Sequence, residues 1–278
     1  MSQPLVVSTI AELRALLAPR RPQGIAMVPT MGALHDGHLS LVRAANAATV
    51  VVSIFVNPTQ FAPHEDFDAY PRTLESDLEK LSTTGAPVVV FAPPAREMYP
   101  EGFATTVTVD GPSAGLETDF RPHFFAGVAT VVAKLLLAAL PDRAIFGEKD
   151  YQQLLVVKRL VKDLGLPTEI IGAPIAREAD GLALSSRNVY LDPRERSIAG
   201  NLNKVLKDVI ARAKESGDLR DTEIFGAETL KAVGFDSVDY VAIRDADSLA
   251  VIETLSRPAR VLVAAKIGRT RLIDNMAV

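Results

Sequence analysis

The sequence contains no cysteine, and histidine occurs only four times among its 278 residues. The missing cysteine excludes disulfide bonds, thiolate zinc sites and cysteine nucleophiles. An excess of positive charge is missing too, since 30 lysines and arginines stand against 34 aspartates and glutamates, giving a formal net charge of -4. Such a chain has no global field that attracts nucleic acid, and we predict no nucleic-acid partner.

Long hydrophobic runs are absent as well. The most apolar stretch, residues 127–140, is shorter than the roughly 20 residues that cross a bilayer, and it carries Lys134. The first residues lack the basic start, the apolar run and the cleavage site of a secretory signal. We therefore predict a cytoplasmic protein with no membrane partner.

The composition itself is typical of a globular protein, with 48% hydrophobic and 23% charged residues. At roughly 150 residues per domain, a chain of this length predicts about two domains. The composition changes near residue 175, and we place the boundary between Pro174 and Arg177. The predicted domains are therefore residues 1–175 and residues 176–278.

Short β-branched runs alternate with amphipathic stretches through the first domain. The strand-like runs are residues 24–30, 49–56, 86–93, 143–147 and 168–172, and the helical ones are residues 38–48, 74–85, 127–140 and 150–165. This alternation predicts an α/β fold with a Rossmann-like, doubly wound parallel sheet. Ligands of such sheets bind beyond the carboxyl ends of the strands, so we expect the site in the loops after positions 30, 56 and 147.

The second domain has fewer strands around a charged helical segment. Residues 193–233 have helical patterning, whereas residues 238–243, 259–268 and 270–275 are strand-like. We predict a smaller α+β domain for this part of the chain.

The clearest candidate site is PTMGALHDGHLSLV, residues 29–42. His35 and His38 lie three residues apart at the start of a predicted helix, where backbone N–H groups and the helix dipole favour a phosphate. Gly37 has no side chain to obstruct a nucleotide. We therefore favour a phosphate site in which both imidazoles donate hydrogen bonds to phosphate oxygens.

Two other interpretations of this segment stay open. The histidines can be surface residues in a turn that contains glycine. A zinc site would need a third ligand, which Asp36 or His64 could supply, although the spacing does not demand it.

Two further segments place polar side chains after predicted strands. SIFVNPTQF, residues 53–61, presents Asn57 and Gln60, whose amides can bind hydroxyl or carboxyl groups of a small substrate. FGEKDYQQL, residues 146–154, presents Lys149 for a phosphate and Gln153 for a hydroxyl. Taken singly, a solvated loop or helix face explains each segment better than a site does.

The loop ADGLALSSRNVYL, residues 179–191, has the chemistry of a phosphate-binding segment. Ser185, Ser186 and Arg187 offer two hydroxyls and a guanidinium to a triphosphate. Taken alone, an N-cap and turn before a helix explains these residues equally well.

These segments resemble known families. Residues 35–38 resemble the HxGH signature of the nucleotidyltransferase superfamily that includes class I aminoacyl-tRNA synthetases, and residues 179–191 are similar to its KMSKS loop in place and chemistry. Together, VPTMGALHDGH, FVNPTQF, FGEKDYQQL and READGLALSSRN closely resemble the pantoate–β-alanine ligase (pantothenate synthetase) family. The resemblance covers nearly the whole chain.

The resemblance implies a two-step ligase. Pantoate attacks the α-phosphorus of ATP to give pantoyl adenylate and pyrophosphate, and β-alanine then displaces AMP to form the amide of pantothenate. It also implies Mg²⁺ on the ATP phosphates and a homodimer. We expect the C-terminal domain to act as a lid, because a water-labile acyl adenylate needs shielding. Residues 104–109 (ATTVTV) are our candidate edge strand.

The resemblance further implies roles for individual residues. His38 is the implied proton donor with His35 beside it, and Lys149, Ser185 and Arg187 are implied to act on the phosphates. The implied ATP-binding residues are Pro29, Met31, Gly32, Ala33, Leu34, His35, Asp36, Gly37, His38, Gly147, Glu148, Lys149, Asp150, Ala176, Leu184, Ser185, Ser186 and Arg187.

Substrate and metal positions follow in the same way. Gln60 and Gln153 are implied to bind pantoate, Gln60 also serving the β-alanine step, and Glu117 matches a position near the pantoate pocket. Asn57 is our further candidate for substrate binding, because its amide follows the same strand as Gln60. Asp77 matches an acidic position associated with the metal, although a solvated helix face explains it almost equally well.

One position departs from the family. Where the family has a stretch like RPxHFxGV, residues 121–128 are RPHFFAGV, so Phe124 stands where a histidine is typical. His123 does not inherit the role, because one residue along a helix rotates a side chain by about 100°. Either the site tolerates Phe124 or activity is weakened.

Two other functions stay open at this point. One is a nucleotidyltransferase that stops at adenylyl transfer, and the other is a nucleotide-binding protein that has lost turnover. A tRNA synthetase fits less well, because the chain has neither an evident anticodon domain nor a basic excess.

Overall fold

The computed structural model describes residues 3–61, 67–68 and 70–278. Residue contacts divide the chain into two compact units. Unit 1 comprises Met1–Glu148 and Val156–Pro174, and unit 2 comprises Lys149–Leu155 and Ile175–Val278. The segment Lys149–Leu155, which the sequence analysis placed in the first domain, therefore groups with unit 2.

Unit 1 is built around a six-stranded sheet in which every described pairing is parallel. The strands are β1 (Leu5–Val7), β2 (Ile25–Thr30), β3 (Thr49–Ile54), β4 (Val88–Phe91), β5 (Arg143–Gly147) and β6 (Glu169–Ala173). The order β1-β4-β3-β2-β5-β6 confirms the predicted doubly wound sheet. Strand β1, which the sequence analysis did not identify, is a short edge strand with exposed side chains.

Seven helices of the described residues connect or flank these strands. They are α1 (Ile10–Leu17), α2 (Asp36–Ala44), α3 (Leu74–Ser82), α4 (Ala95–Met98), α5 (Glu117–Phe120), α6 (Phe124–Ala139) and α7 (Tyr151–Asp163). Helices α2, α3, α6 and α7 match the predicted ones with shifted ends.

The reversal of strand order lies at β2. The chain proceeds outward from β2 through β3 to β4 and then returns, so that β5 pairs with the other side of β2. Parallel α/β sheets bind ligands at such a reversal, beyond the carboxyl ends of the strands. The segments after Thr30 and Gly147 therefore begin at the two sides of the expected crevice.

The central strands are apolar because both faces of the sheet are covered. Val28, Val52, Val90 and Ile145, one from each of β2 to β5, are fully buried and cluster with Leu39 of α2. Removing these side chains from water favours folding by roughly 1.5–3 kcal/mol each.

The predicted strand at 104–109 is wrong. These residues form no strand, and the backbone N–H of Val107 instead donates to Thr130 Oγ1 in α6 at 2.9 Å. Alternating β-branched residues form a strand only where a neighbouring strand pairs with them, and here a helix side chain takes the hydrogen bond.

Unit 2 is the predicted α+β unit. Its strands form one antiparallel sheet in the order β7-β8-β9, and its three helices precede them in the chain. The elements are α8 (Pro193–Ala199), α9 (Asn201–Ser216), α10 (Leu219–Ala232), β7 (Ser237–Asp245), β8 (Ala259–Ile267) and β9 (Thr270–Ala277). Helix α9 buries Leu202 and Val209 against Ile243, Val261 and other apolar residues of the sheet.

No helix among the described residues is long and apolar enough to cross a bilayer. This holds for α6 as well, which is apolar on nearly every face because it is buried in unit 1.

Two adjacent leucines of α6 test this packing. Leu136 is 1% exposed and Leu137 is 47% exposed. We expect Leu136→Ala to lower the free energy of unfolding by about 2–5 kcal/mol, because it leaves a cavity. Leu137→Ala should lower it by less than about 1 kcal/mol. Urea unfolding measures both, and equal losses would contradict the buried face assigned to α6.

Candidate active site

The loop between β2 and α2 has positive φ angles, which residues with a side chain rarely adopt. Gly32 has a φ of 82° and Ala33 a φ of 50°. A Cβ on Gly32 would lie 3.0 Å from Ile54 Cγ2 and 3.2 Å from an Asp77 carboxylate oxygen. Position 32 therefore requires glycine both for its backbone conformation and for space.

The buried carboxylate of Asp77 holds this loop from α3. Its Oδ2 accepts the N–H of Ala33 at 3.0 Å, and its Oδ1 accepts the N–H of Leu34 at 2.8 Å. Lys80, one turn along α3, donates from Nζ to the carbonyl of Leu34 at 2.7 Å. Two side chains of one helix therefore fix the loop that leads to the histidines.

The alternative of a solvated helix face for Asp77 is wrong, because the residue is 0% exposed. Its implied role at a metal stays a prediction. Both carboxylate oxygens already accept backbone hydrogen bonds, which is the arrangement of a structural anchor.

The two histidines meet at the start of α2. The ring centroids of His35 and His38 are 4.1 Å apart, with planes inclined by 42°. His35 Nδ1 accepts the N–H of Gly37 at 3.1 Å, and His38 Nδ1 accepts the N–H of His35 at 3.3 Å. A neutral imidazole that accepts through Nδ1 carries its proton on Nε2. The pair therefore satisfies the backbone at the start of the helix and orients two Nε2–H donors.

Asn57 forms the centre of a second cluster, after β3. It is 1% exposed, and its Nδ2 donates to Gln60 Oε1 at 3.2 Å and to the carbonyl of Gly127 at 3.1 Å. Its Oδ1 accepts from Tyr99 Oη at 2.7 Å and from Thr59 Oγ1 at 3.1 Å. With these partners, Asn57 orients Gln60 from a buried position.

Tyr99 is a site residue that the sequence analysis missed. Burial raises the pKa of the Tyr99 hydroxyl, so the hydroxyl keeps its proton and donates it to Asn57. The sequence spacing does not predict a contact between Tyr99 and Asn57, because they are 42 positions apart and follow different strands.

Gln60 is oriented by its side chain and by its backbone. Its Nε2 lies 2.9 Å from the sulfur of Met31, in the loop after β2. Its main-chain carbonyl accepts from Arg121 Nη2 at 3.3 Å, and Arg121 Nη1 donates to Glu117 Oε1 at 3.2 Å. The structure thus brings together the loop after β2, the turn after β3 and helix α5.

Gly127 allows α6 to approach the turn Pro58–Gln60. A Cβ at position 127 would lie 2.5 Å from the carbonyl oxygen of Thr59 and 2.8 Å from Gln60 Cα. Side chains cannot occupy that space, so glycine is required there for close packing. The sequence analysis missed this requirement, because one glycine in a helical pattern has no distinctive signal.

The remaining candidate positions of unit 1 lie around these clusters. Pro29 belongs to β2, and Asp36 is the exposed first residue of α2. Gly147 ends β5, and Glu148 follows it. A Cβ on Gly147 would meet nothing within 4 Å, so glycine is not required there for space.

Two further groups of candidates lie in unit 2. The carbonyl of Lys149 accepts from Asn275 Nδ2 at 2.9 Å, and Lys149 Nζ lies 3.8 Å from an Asp150 carboxylate oxygen. Gln153 lies half-buried in the first turn of α7. In the other group, Ser185 caps a short 3-10 turn, and its Oγ accepts the N–H of Arg187 at 3.2 Å.

A buried ion pair anchors the loop that carries the second group. Arg177 donates to both carboxylate oxygens of Asp274, at 2.7 and 2.9 Å, and to the carbonyl of Gly181 at 2.9 Å. The carbonyl of Ala176 accepts the N–H of Leu184, at 2.9 Å, which closes the base of the loop just before Ser185 and Ser186. The sequence analysis missed Asp274, because its partner is 97 positions away.

Within the described residues, no group of three or more histidine, cysteine, aspartate or glutamate side chains could hold a metal ion. His64, one of the two zinc ligands considered from the sequence, lies outside the described residues.

Comparison with known proteins identifies the family. The family model described as pantoate-beta-alanine ligase matches residues 5–277. The chain belongs to the pantoate–β-alanine ligase family. The pantothenate synthetase of Mesorhizobium japonicum is 55% identical over 282 residues, which cover 100% of this chain and 99% of that protein.

Solved structures of this ligase family agree with the fold. The pantothenate synthetase of Thermus thermophilus superposes with a TM-score of 0.91 at 50% identity, covering 98% of each chain. The pantoate-beta-alanine ligase of Francisella tularensis, described as complexed with beta-gamma ATP and beta-alanine, has a TM-score of 0.82 at 33% identity and covers 98% of this chain and 97% of its own. The chain is therefore an enzyme of the pantoate–β-alanine ligase class.

Removing the Asp77 anchor tests its role. We expect Asp77→Ala to speed amide hydrogen exchange at Ala33 and Leu34 by about tenfold or more, because each lost hydrogen bond to a charged group is worth about 1.5–3 kcal/mol. Glu79→Ala, an exposed carboxylate of the same helix, is the matched control. Equal exchange in the two variants would contradict the anchor.

Proposed function

We propose that this enzyme joins pantoate to β-alanine with ATP through a bound pantoyl adenylate. In the first step a pantoate carboxylate oxygen bonds to the α-phosphorus as the bond to pyrophosphate breaks. In the second step the amine of β-alanine bonds to the acyl carbon, AMP leaves, and the nitrogen loses a proton. The observation that carries the proposal is the pair of histidines at the carboxyl end of β2.

The start of α2 supports a phosphate site. The helix dipole favours an anion there, and the Nε2–H groups of His35 and His38 supply two donors, since the N–H groups of His35 and Gly37 are already bonded to the two Nδ1 atoms. Negative charge accumulates on the phosphorus oxygens as the pentacoordinate transition state forms, so fixed donors stabilise that state most. His38 is the proposed proton donor, with His35 beside it.

The cluster around Asn57 supports a pantoate site. Gln60 presents an amide that can bind the hydroxyl and carboxyl oxygens of a small acid. Asn57, Met31 and Arg121 orient that amide, which favours one geometry of attack. Glu117 is proposed to act in the same pocket, where it already holds Arg121.

Residues of unit 2 are proposed to complete nucleotide and substrate binding. Lys149, Ser185 and Arg187 have the charges and hydroxyls that bind phosphate oxygens. Gln153 is the proposed second pantoate ligand, and the backbone of Ala176 is proposed to meet adenine. The Francisella relative is described as complexed with beta-gamma ATP and beta-alanine, which supports these two compounds as substrates.

The described residues do not fit a metal site held by the protein. Both oxygens of Asp77 accept backbone hydrogen bonds in a buried position, and the described residues contain no cluster of three potential ligands. Magnesium on the ATP phosphates, the homodimer, the lid and the cytoplasmic location stay predictions.

AMP formation from ATP and pantoate, measured with and without β-alanine, tests the function directly. We expect sustained AMP formation only with both substrates, because the adenylate stays bound until an amine attacks it. Sustained pyrophosphate release without β-alanine would instead indicate an adenylyltransferase. ATP binding without turnover would indicate a binding protein, and either outcome would overturn the proposal.

The proposed role of His38 makes a prediction about rate. We expect His38→Ala to lower kcat by about 100-fold or more and to change the KM for ATP much less, because the imidazole acts on charge that forms in the transition state. His123→Ala, an exposed histidine outside the site, is the matched control. An unchanged kcat in His38→Ala would refute the assignment.

The proposed role of Gln60 makes a prediction about substrate use. We expect Gln60→Ala to raise the KM for pantoate by about tenfold, the loss that one good hydrogen bond explains. Gln23→Ala, in which an exposed amide is removed, should behave as the wild type. Normal pantoate kinetics in Gln60→Ala would place the pocket elsewhere.

A further inference from the structure

A guanidinium stacked on a phenyl ring lies beside the proposed pantoate pocket. The Cζ atom of Arg121 is 3.9 Å from the centroid of the Phe124 ring. The edges of the same guanidinium contact Glu117 Oε1 at 3.2 Å and the carbonyl of Gln60 at 3.3 Å. The Arg121 side chain is only 16% exposed, so these contacts occupy most of it.

We propose that Phe124 is a positioning residue for pantoate binding, which acts by holding the Arg121 guanidinium against the backbone of Gln60. The inference rests on the proposed function of Gln60. Phe124 needs no contact with substrate in this role.

The stack restricts the orientation of Arg121. A guanidinium gains cation–π energy when it lies over an aromatic face, and its planar shape also allows it to stack there. In that orientation its N–H groups point outward in its own plane, one toward Glu117 and one toward Gln60. The carboxylate of Glu117 limits rotation within the plane, and the ring limits tilting out of it.

Arg121 in turn restricts the turn after β3. Its charge-assisted hydrogen bond to the Gln60 carbonyl is stronger than a neutral one. Gly127 also allows α6 to pack closely against the backbone of Thr59 and Gln60. The carbonyl and the Cα of Gln60 are therefore both restrained, and the side chain attached to this Cα is the group proposed to bind pantoate.

The nature of the ring decides whether the stack depends on pH. A neutral imidazole also presents a flat aromatic face to Arg121, whereas an imidazolium repels it. Arg121 lies over the ring and Glu117 pairs with Arg121, while His123 precedes Phe124 in the chain. Phenylalanine keeps the stack at every pH, so Phe124 preserves the positioning function.

Steady-state kinetics of Phe124 variants test the inference. We expect Phe124→Leu, which keeps apolar volume but loses the aromatic face, to raise the KM for pantoate about three- to tenfold. Its KM for ATP and its Tm should stay close to the wild type. Phe120→Leu, in a residue that is 49% exposed on α5, is the matched control.

The pH dependence of Phe124→His separates stacking from simple packing. At pH 8 this variant should match the wild type in its KM for pantoate, because the imidazole is neutral. At pH 5.5 we expect its KM to exceed that of the wild type at the same pH by about threefold or more, because the imidazole ordinarily titrates near 6.5. A variant that follows the wild type at both pH values overturns the stacking assignment.

A double variant tests whether Phe124 acts through Arg121. Lysine cannot stack and donate as a planar fork, so Arg121→Lys should raise the KM for pantoate by itself. Adding Phe124→Leu to it should raise the KM no further, since the two changes remove one interaction. The proposal would be overturned if the two substitutions multiplied each other's effect on the KM for pantoate. It would also be overturned if they raised the KM for ATP as much as the KM for pantoate.

The Gln60→Ala variant distinguishes failure here from failure of the proposed function. If Gln60→Ala impairs pantoate use while Phe124→Leu does not, only the present inference is overturned. If Gln60→Ala has normal pantoate kinetics, the proposed role of Gln60 is wrong, and the positioning role of Phe124 is then wrong as well.

Discussion

The pairing of β2 on both sides determines where the functional segments of unit 1 begin. Hydrogen bonds join β2 to β3 on one side and to β5 on the other, and every one of these pairings is parallel. Parallel strands end at the same edge of a sheet, so the loops after Thr30, Ile54 and Gly147 start there together. The strand order also reverses at β2, so the connections on its two sides run in opposite directions. No crossover connection then covers the crevice between those loops.

The polar residues nearest this edge are fixed by others that are buried. Asp77 fixes the loop that leads to the histidines, and Asn57 and Arg121 fix Gln60. Each of the three satisfies backbone or amide groups in a place that water reaches poorly, where an unpaired polar group would be costly. These anchors define the geometry, while the residues that they orient carry the proposed chemistry.

Unit 2 uses the same principle with a buried ion pair. Arg177 binds both oxygens of Asp274, and the neighbouring Asn275 holds the carbonyl of Lys149. Two consecutive residues of β9 therefore anchor two separate segments, both of which carry residues proposed to bind phosphate. Removing either partner of such a pair strongly destabilises the fold, because the other charge would be left buried without a counter-charge.

The sequence determined the class of the fold and the identity of the candidate chemistry. Alternating β-branched and amphipathic segments are sufficient for a parallel sheet, because strands buried on both faces must be apolar along their whole length. His35, His38 and Gln60 were found because they follow strands within short, distinctive segments. Strand β1 was not found, since three residues carry too little pattern, and residues 104–109 have a strand pattern without a strand partner.

The tertiary structure alone decided what holds those candidates in place. Asp77, Tyr99 and Asp274 contact residues 42 to 97 positions away, and no local periodicity encodes such a contact. Arg121, which lies over the Phe124 ring, likewise binds the carbonyl of Gln60, 61 positions away. Local pattern fixes the period and burial of a segment, whereas contacts between distant segments depend on how the whole chain packs.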